Sequence, residues 1–149
     1  MPGLLTYAEP VRNEDVAKLL HPLVSEWFFS KFKEFSLTQR YGVPLIHGRK
    51  NILVSAPTGG TKTLTAFLAI INYLVDLAAR KELEDKIYAV YVSPLRALSN
   101  DIFVNLERPL QEIKELALKK GIVLQEIRVG LRTGDTTASE RAKMARKVP

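Results

Sequence analysis

The sequence predicts an α/β domain built on a parallel sheet, and three observations carry that prediction. Ile52, Leu53 and Val54 form a short apolar run broken by Pro57, Gly59 and Gly60, the pattern of a buried strand entering a tight turn. An amphipathic helix follows, with Leu64, Phe67, Leu68, Ile71, Leu74, Val75 and Ala78 on one face and an end near Arg80. After a charged connector at 81–86 comes a second apolar run, residues 87–92. A helix between two apolar strands is the βαβ pattern, which implies parallel strands and a right-handed crossover.

The turn between the first strand and its helix carries the chemistry. Unpaired backbone N–H groups and the positive end of the helix dipole converge there, which makes the turn an anion site. Lys62 adds a flexible point charge for the outer phosphates of a nucleotide, and the Thr63 hydroxyl beside it suits a magnesium ion. From Ala56 to Lys62 the loop has the length of G-x-x-x-x-G-K-[ST], with Ala56 and Thr61 at the two glycine positions. Glycine before the lysine lets the backbone approach phosphate with no Cβ in the way, so Thr61 is expected to crowd that path, with Gly60 supplying part of the lost freedom. An ordinary strand–turn–helix joint capped by Thr58 has the same local pattern.

Elsewhere, Asn13 is placed to cap a short helix through Leu20, and Pro22 fits the first turn of a second helix carrying Leu23, Trp27, Phe28 and Phe32. The five aromatics from Trp27 to Phe35 read as a packed face rather than a base-stacking surface. Residues 36–48, with Gly42, Pro44 and Gly48, read as a turn-rich approach to the first strand. Pro94 closes the second strand, and Leu98, Ile102 and Leu106 begin another helix. Pro109 demands a kink or restart, and Gly121 supplies the stop. Residues 127–129 read as a third strand, Gly134-Asp135 as a turn, and the stretch from Thr137 to Lys147 as a basic helix.

At 149 residues the chain is one domain. It has no cysteine, which excludes disulfides and thiolate chemistry, and its two histidines, His21 and His47, have no ligand-like spacing. The net charge of +6 is uneven: residues 119–149 hold 8 basic and 3 acidic residues, against 14 and 13 in residues 1–118. A polyanion partner and a solvated helix face both fit that bias. The N-terminus lacks the apolar core of a signal peptide, and Asn72, Tyr73 and Asp76 interrupt the most apolar stretch, 66–79. No membrane span and a cytoplasmic location are therefore expected.

Taken together, the segments resemble the first RecA-like domain of a superfamily 2 helicase, and most closely the large helicase-related (Lhr-type) group. Residues 56–63, APTGGTKT, resemble motif I, usually APTGSGKT; residues 93–101, SPLRALSND, resemble motif Ia; residues 130–136, GLRTGDT, resemble the family's segment between motifs Ia and Ib. Gln39 and Pro44 have the separation found in the family's Q motif. Thr38 directly precedes Gln39, where the family usually places two residues between threonine and glutamine.

The resemblance implies a P-loop NTPase fold, a RecA-like three-layer sandwich around a parallel sheet, incomplete at its C-terminal end. Residues 1–35 are then a helical lead-in and 36–149 a partial ATP-binding domain. ATP and magnesium are the implied cofactors. Gln39 would read adenine; Ala56, Pro57, Thr58, Gly59, Gly60, Thr61, Lys62 and Thr63 would cradle the phosphates, with Lys62 and Thr63 in the catalytic role and Thr63 on the metal. Pro94, Arg96, Thr133, Gly134 and Asp135 would follow the backbone of a nucleic-acid strand. The family also needs an apolar strand ending in Asp-Glu and a second RecA-like domain. Glu82, Glu84 and Asp85, in a polar connector, are a poor substitute, so the remainder of a helicase chain is an expected partner and the isolated chain is expected to be inactive. A truncated, non-catalytic nucleic-acid-binding module is the alternative. A small P-loop kinase fits less well, since it leaves residues 94–98 without a role.

Overall fold

The computed structural model describes residues 4–58, 61–93 and 102–147. Three helices come first: α1 (Asn13–Leu19), α2 (Pro22–Lys31) and α3 (Leu37–His47). The long helix α4 (Thr61–Arg80) follows, then a π-helical turn (Phe103–Glu107) that runs into α5 (Arg108–Lys119), and lastly α6 (Ala138–Arg146).

The first two helices lie where the sequence placed them, but their caps differ. Arg12, not Asn13, occupies the N-cap of α1. Asn13 instead accepts the Phe35 N–H on its Oδ1 at 3.0 Å, which ties the start of α1 to the chain beyond α2. His21 caps α2 by accepting the Leu23 N–H on Nδ1 at 3.2 Å, with Pro22 in the first turn.

Residues 37–47 correct the sequence reading, being a helix rather than a turn-rich approach. Ser36 accepts the Gln39 N–H at 3.3 Å while Gln39 Oε1 accepts the Ser36 N–H at 2.8 Å. This reciprocal capping box satisfies two donors that the helix start would otherwise leave unpaired. Gly42 sits inside the helix because α4 passes close by: a Cβ there would lie 2.6 Å from Thr65 Cγ2.

Helix α4 organises the core. It is long and apolar enough to cross a membrane by length and composition, but Phe67, Leu68, Ile71 and Val75 are buried against the other helices. Val16, Leu20, Val24, Trp27 and Phe28 of the lead-in join the same cluster, as do Ile113 and Ala117 of α5. Phe28 and Phe35 stack with centroids 4.4 Å apart, so the aromatic run is packed as expected, with Phe29 and Phe32 partly exposed. Asn72, buried in α4, accepts the His21 N–H at 2.6 Å and donates to the Leu19 carbonyl at 3.1 Å. It therefore satisfies a backbone carbonyl where α1 ends and a backbone N–H where α2 begins.

Pro109 produces the expected restart. The Arg108 N–H reaches the Phe103 carbonyl five residues back, and α5 begins with Pro109 in its first turn, where a missing N–H costs no bond. Trp27 Nε1 donates to Glu112 Oε2 at 2.7 Å and Lys31 Nζ to Glu112 Oε1 at 3.0 Å, joining α2 to α5. Gly121 ends the helix at φ +73, the left-handed region that favours glycine.

The expected strands do not form: among the described residues no segment pairs as a β-strand. Burial alternates from Asn51 to Ala56, so that segment keeps the one-face pattern of a strand without a partner. Leu53 is 89% exposed and Val92 84%. A cavity of about 920 Å³ is lined by α4 and by segments 83–93 and 126–134, with Phe67, Leu74, Tyr91, Ile127 and Val129 on its walls, and Phe67 meets Tyr91 with ring centroids 5.0 Å apart. Backbone pairing is non-local, and among the described residues these runs pair with no neighbouring strand.

Candidate nucleotide and nucleic-acid site

Two helix starts lie side by side at the phosphate loop. Thr61 Oγ1 is 3.5 Å from Thr38 Oγ1, and Gly42 packs on Thr65 one turn later in each helix. The matched order means that α3 and α4 run parallel, with their positive ends together. Lys62 Nζ donates to the Ala56 carbonyl, so the ammonium crosses from one end of the loop to the other. That is where a point charge serves an anion held by the N–H groups of the first turn. Thr63 lies half-buried on the same turn, and Pro57 and Thr58 are exposed along the loop. Gly59 and Gly60 lie outside the described residues, as do Pro94 and Arg96.

Gln39 is buried beside this loop, with Oε1 engaged by the Ser36 N–H. Sequence reasoning missed Ser36. The hydroxyl separated from the glutamine by two residues belongs to it rather than to Thr38, and the S-x-x-Q capping signature was there to show it.

Thr133, Gly134 and Asp135 form the expected turn, stiffened by its own hydroxyls. The Thr133 N–H donates to Thr136 Oγ1 at 2.8 Å, the Asp135 N–H to Thr133 Oγ1 at 3.3 Å, and Arg141 Nε from α6 to the Thr136 carbonyl at 3.0 Å. Thr137 and Glu140 make a second capping box at the start of α6. The Thr137 backbone N–H, followed by its hydroxyl, holds the Glu140 carboxyl below the ordinary glutamate range.

Part of the basic surplus is spent on structure. Lys120 pairs with Glu26 at 2.8 Å, and Arg128 pairs with Asp85. The acidic connector is likewise engaged at the surface, with Arg80 on Glu82 at 2.5 Å and Lys86 on Glu84. No group of three or more His, Cys, Asp or Glu suited to a metal occurs among the described residues.

This arrangement of a lysine-bearing loop at a helix start, with a capped glutamine beside it, is that of a P-loop nucleotide-binding domain. The model of the DEAD/DEAH box helicase family matches residues 36–148, and the chain belongs to that family. It is 51% identical over 137 residues to the ATP-dependent helicase Lhr-Core of Methanocaldococcus jannaschii, across 92% of this chain and 16% of that protein. It is 36% identical to the Lhr helicase/uracil glycosylase of Escherichia coli, across 92% of this chain and 9% of that protein. Among solved structures, the Mycobacterium smegmatis helicase Lhr bound to ssDNA and AMP-PNP superposes with a TM-score of 0.78 at 36% identity, over 90% of this chain and 16% of that one. The fold is thus RecA-like, of the superfamily 2 Lhr type, and the chain spans about 16% of the length of the Lhr-Core relative.

Proposed function

We propose that this chain is the ATP-binding segment of an ATP-dependent superfamily 2 helicase or translocase. The observation that carries the reading is Lys62 Nζ bonded across the loop to the Ala56 carbonyl at the start of α4, beside the Gln39 cap of α3. The first-turn N–H groups and Lys62 hold the phosphates, Gln39 reads the adenine edge, and Thr63 contributes an oxygen to magnesium, which offsets phosphate charge when bound. The stiff turn at Thr133, Gly134 and Asp135, with Pro94 and Arg96, follows the phosphate backbone of a DNA strand, contacts that hold a strand without reading its sequence. The solved Lhr bound to ssDNA and AMP-PNP supports both halves of this reading for a relative.

Hydrolysis belongs to a longer polypeptide. Motif II and a second RecA-like domain supply the water-positioning carboxylates and the arginine finger in that chemistry, and Glu82 and Asp85 are already committed to ion pairs. A cytoplasmic location accompanies the reading.

Equilibrium titration tests it. The chain binds ATP with magnesium, Lys62→Ala weakens binding by roughly thirtyfold, as loss of a charge-assisted bond requires, and no turnover is measured. Equal affinity in wild type and Lys62→Ala would sink the nucleotide site.

A further inference from the structure

We infer that Thr38 and Thr61 form a hydroxyl clamp that fixes α3 against the phosphate loop, making Thr61 a positioning residue for the nucleotide base rather than an obstruction in the phosphate path. The inference rests on the nucleotide reading above. Its first support is that Thr61, which stands at the motif I glycine position, meets Thr38 of α3, with their hydroxyls 3.5 Å apart.

That separation is long for an O–H···O bond, so the weight falls on register. Thr38 and Gly42 are four apart on α3, Thr61 and Thr65 are four apart on α4, and the second pair is in tight contact, with a Gly42 Cβ placed 2.6 Å from Thr65 Cγ2. Positions four apart form one row on a helix surface, and two rows that meet at both ends hold a single register. Thr65 Oγ1 donates to the Thr61 carbonyl at 2.6 Å, so the same row also grips the backbone of the loop.

The consequence lies one residue away. Gln39 follows Thr38, so a slip of Thr38 against Thr61 moves the base-reading amide relative to the phosphate loop. A nucleotide has a fixed span from base to phosphates, and the clamp sets the span the site accepts. Glycine at position 61 frees the loop backbone and removes the Thr61 side of the clamp.

The test uses the 149-residue chain with magnesium and three probes: ATP, GTP and inorganic tripolyphosphate. Thr38→Val and Thr61→Val each lower the ratio of ATP to GTP affinity about three- to tenfold, the range for one neutral hydrogen bond, and Thr38→Val leaves tripolyphosphate binding unchanged. The double variant loses no more than either single one, Thr61→Ser keeps the wild-type ratio, and Thr61→Gly behaves like the valine variant. Tighter binding of ATP and tripolyphosphate alike by Thr61→Gly would instead establish crowding and overturn the clamp. So would an unchanged ratio or strictly additive losses.

A double-mutant cycle on urea unfolding separates this failure from failure of the nucleotide reading. Coupling between positions 38 and 61 without any nucleotide binding removes the nucleotide site, and with it the base-positioning role. Binding of all three probes without coupling removes the clamp alone.

Discussion

The helices and the extended segments of this chain carry similar apolar side chains and treat them differently. Around α4, Phe28, Phe67, Leu68, Ile71 and Ile113 are fully buried in one cluster that runs from α1 to α5. In segments 51–58 and 86–93, Leu53, Val90 and Val92 face outward. A helix closes its own backbone hydrogen bonds and needs a neighbour for only one stripe of its surface. A strand needs another backbone beside it and, in a parallel sheet, cover on both faces. The helices therefore find their partners among one another, whereas the Val- and Ile-rich runs have the composition of strands and pair with none among the described residues.

The largest effects should fall on the helical side. Phe28→Ala removes the ring that stacks on Phe35 at 4.4 Å and lies 4.8 Å from Phe32, and the loss is expected to be about 3–5 kcal/mol in urea unfolding. A loss below about 1 kcal/mol, the scale of an ordinary surface change, would show that the cluster is not the stable part of the molecule.

What the sequence revealed and what it hid follow the same division. The helices at Pro22 and Thr61, the restart at Pro109 and the stop at Gly121 were readable because each depends on neighbours within a turn or two. Helix α3 was misread because Gly42, Pro44 and Gly48 looked like punctuation. Gly42 answers instead to Thr65 on another helix, and a contact across 23 positions leaves no local trace. Asn13 and Asn72 misled for the same reason: one looked like a cap and the other like an interruption, yet both tether distant backbone. The strand runs were read from composition, which records the burial a segment is suited to and not whether a partner is within reach.

A pH titration sharpens the account of the helical layer at the α2–α5 junction. The Trp27 Nε1–H bond holds the Glu112 carboxyl below the ordinary glutamate range; burial opposes it, and the Lys31 bond and charge and the Arg108 charge add to the lowering. A carboxyl whose folded pKa is depressed stabilises the protein above its unfolded pKa, and that contribution is lost as pH falls through the folded value. Stability should therefore fall with acidification across and below the ordinary glutamate range. Glu112→Gln should be less stable than wild type at neutral pH, show a shallower acid limb, and converge with wild type at the acid end. Asp15, Glu84 and Glu140 are also depressed but lie at the surface, so the difference between the two proteins isolates Glu112. Parallel curves would mean that the carboxyl is not what joins the helices.

The smallest effect is expected on the extended side, and it is the most discriminating. Leu53 is a large aliphatic residue in the segment that leads into the phosphate loop, so composition alone suggests a costly position. Its exposure of 89% says otherwise. Leu53→Thr keeps the β-region backbone accessible, removes apolar surface that is already in water, and leaves no cavity, so the change in unfolding free energy should stay within about 0.5 kcal/mol. A loss of about 2 kcal/mol or more would place Leu53 in a core and require that segment 52–54 be paired and covered on both faces in solution.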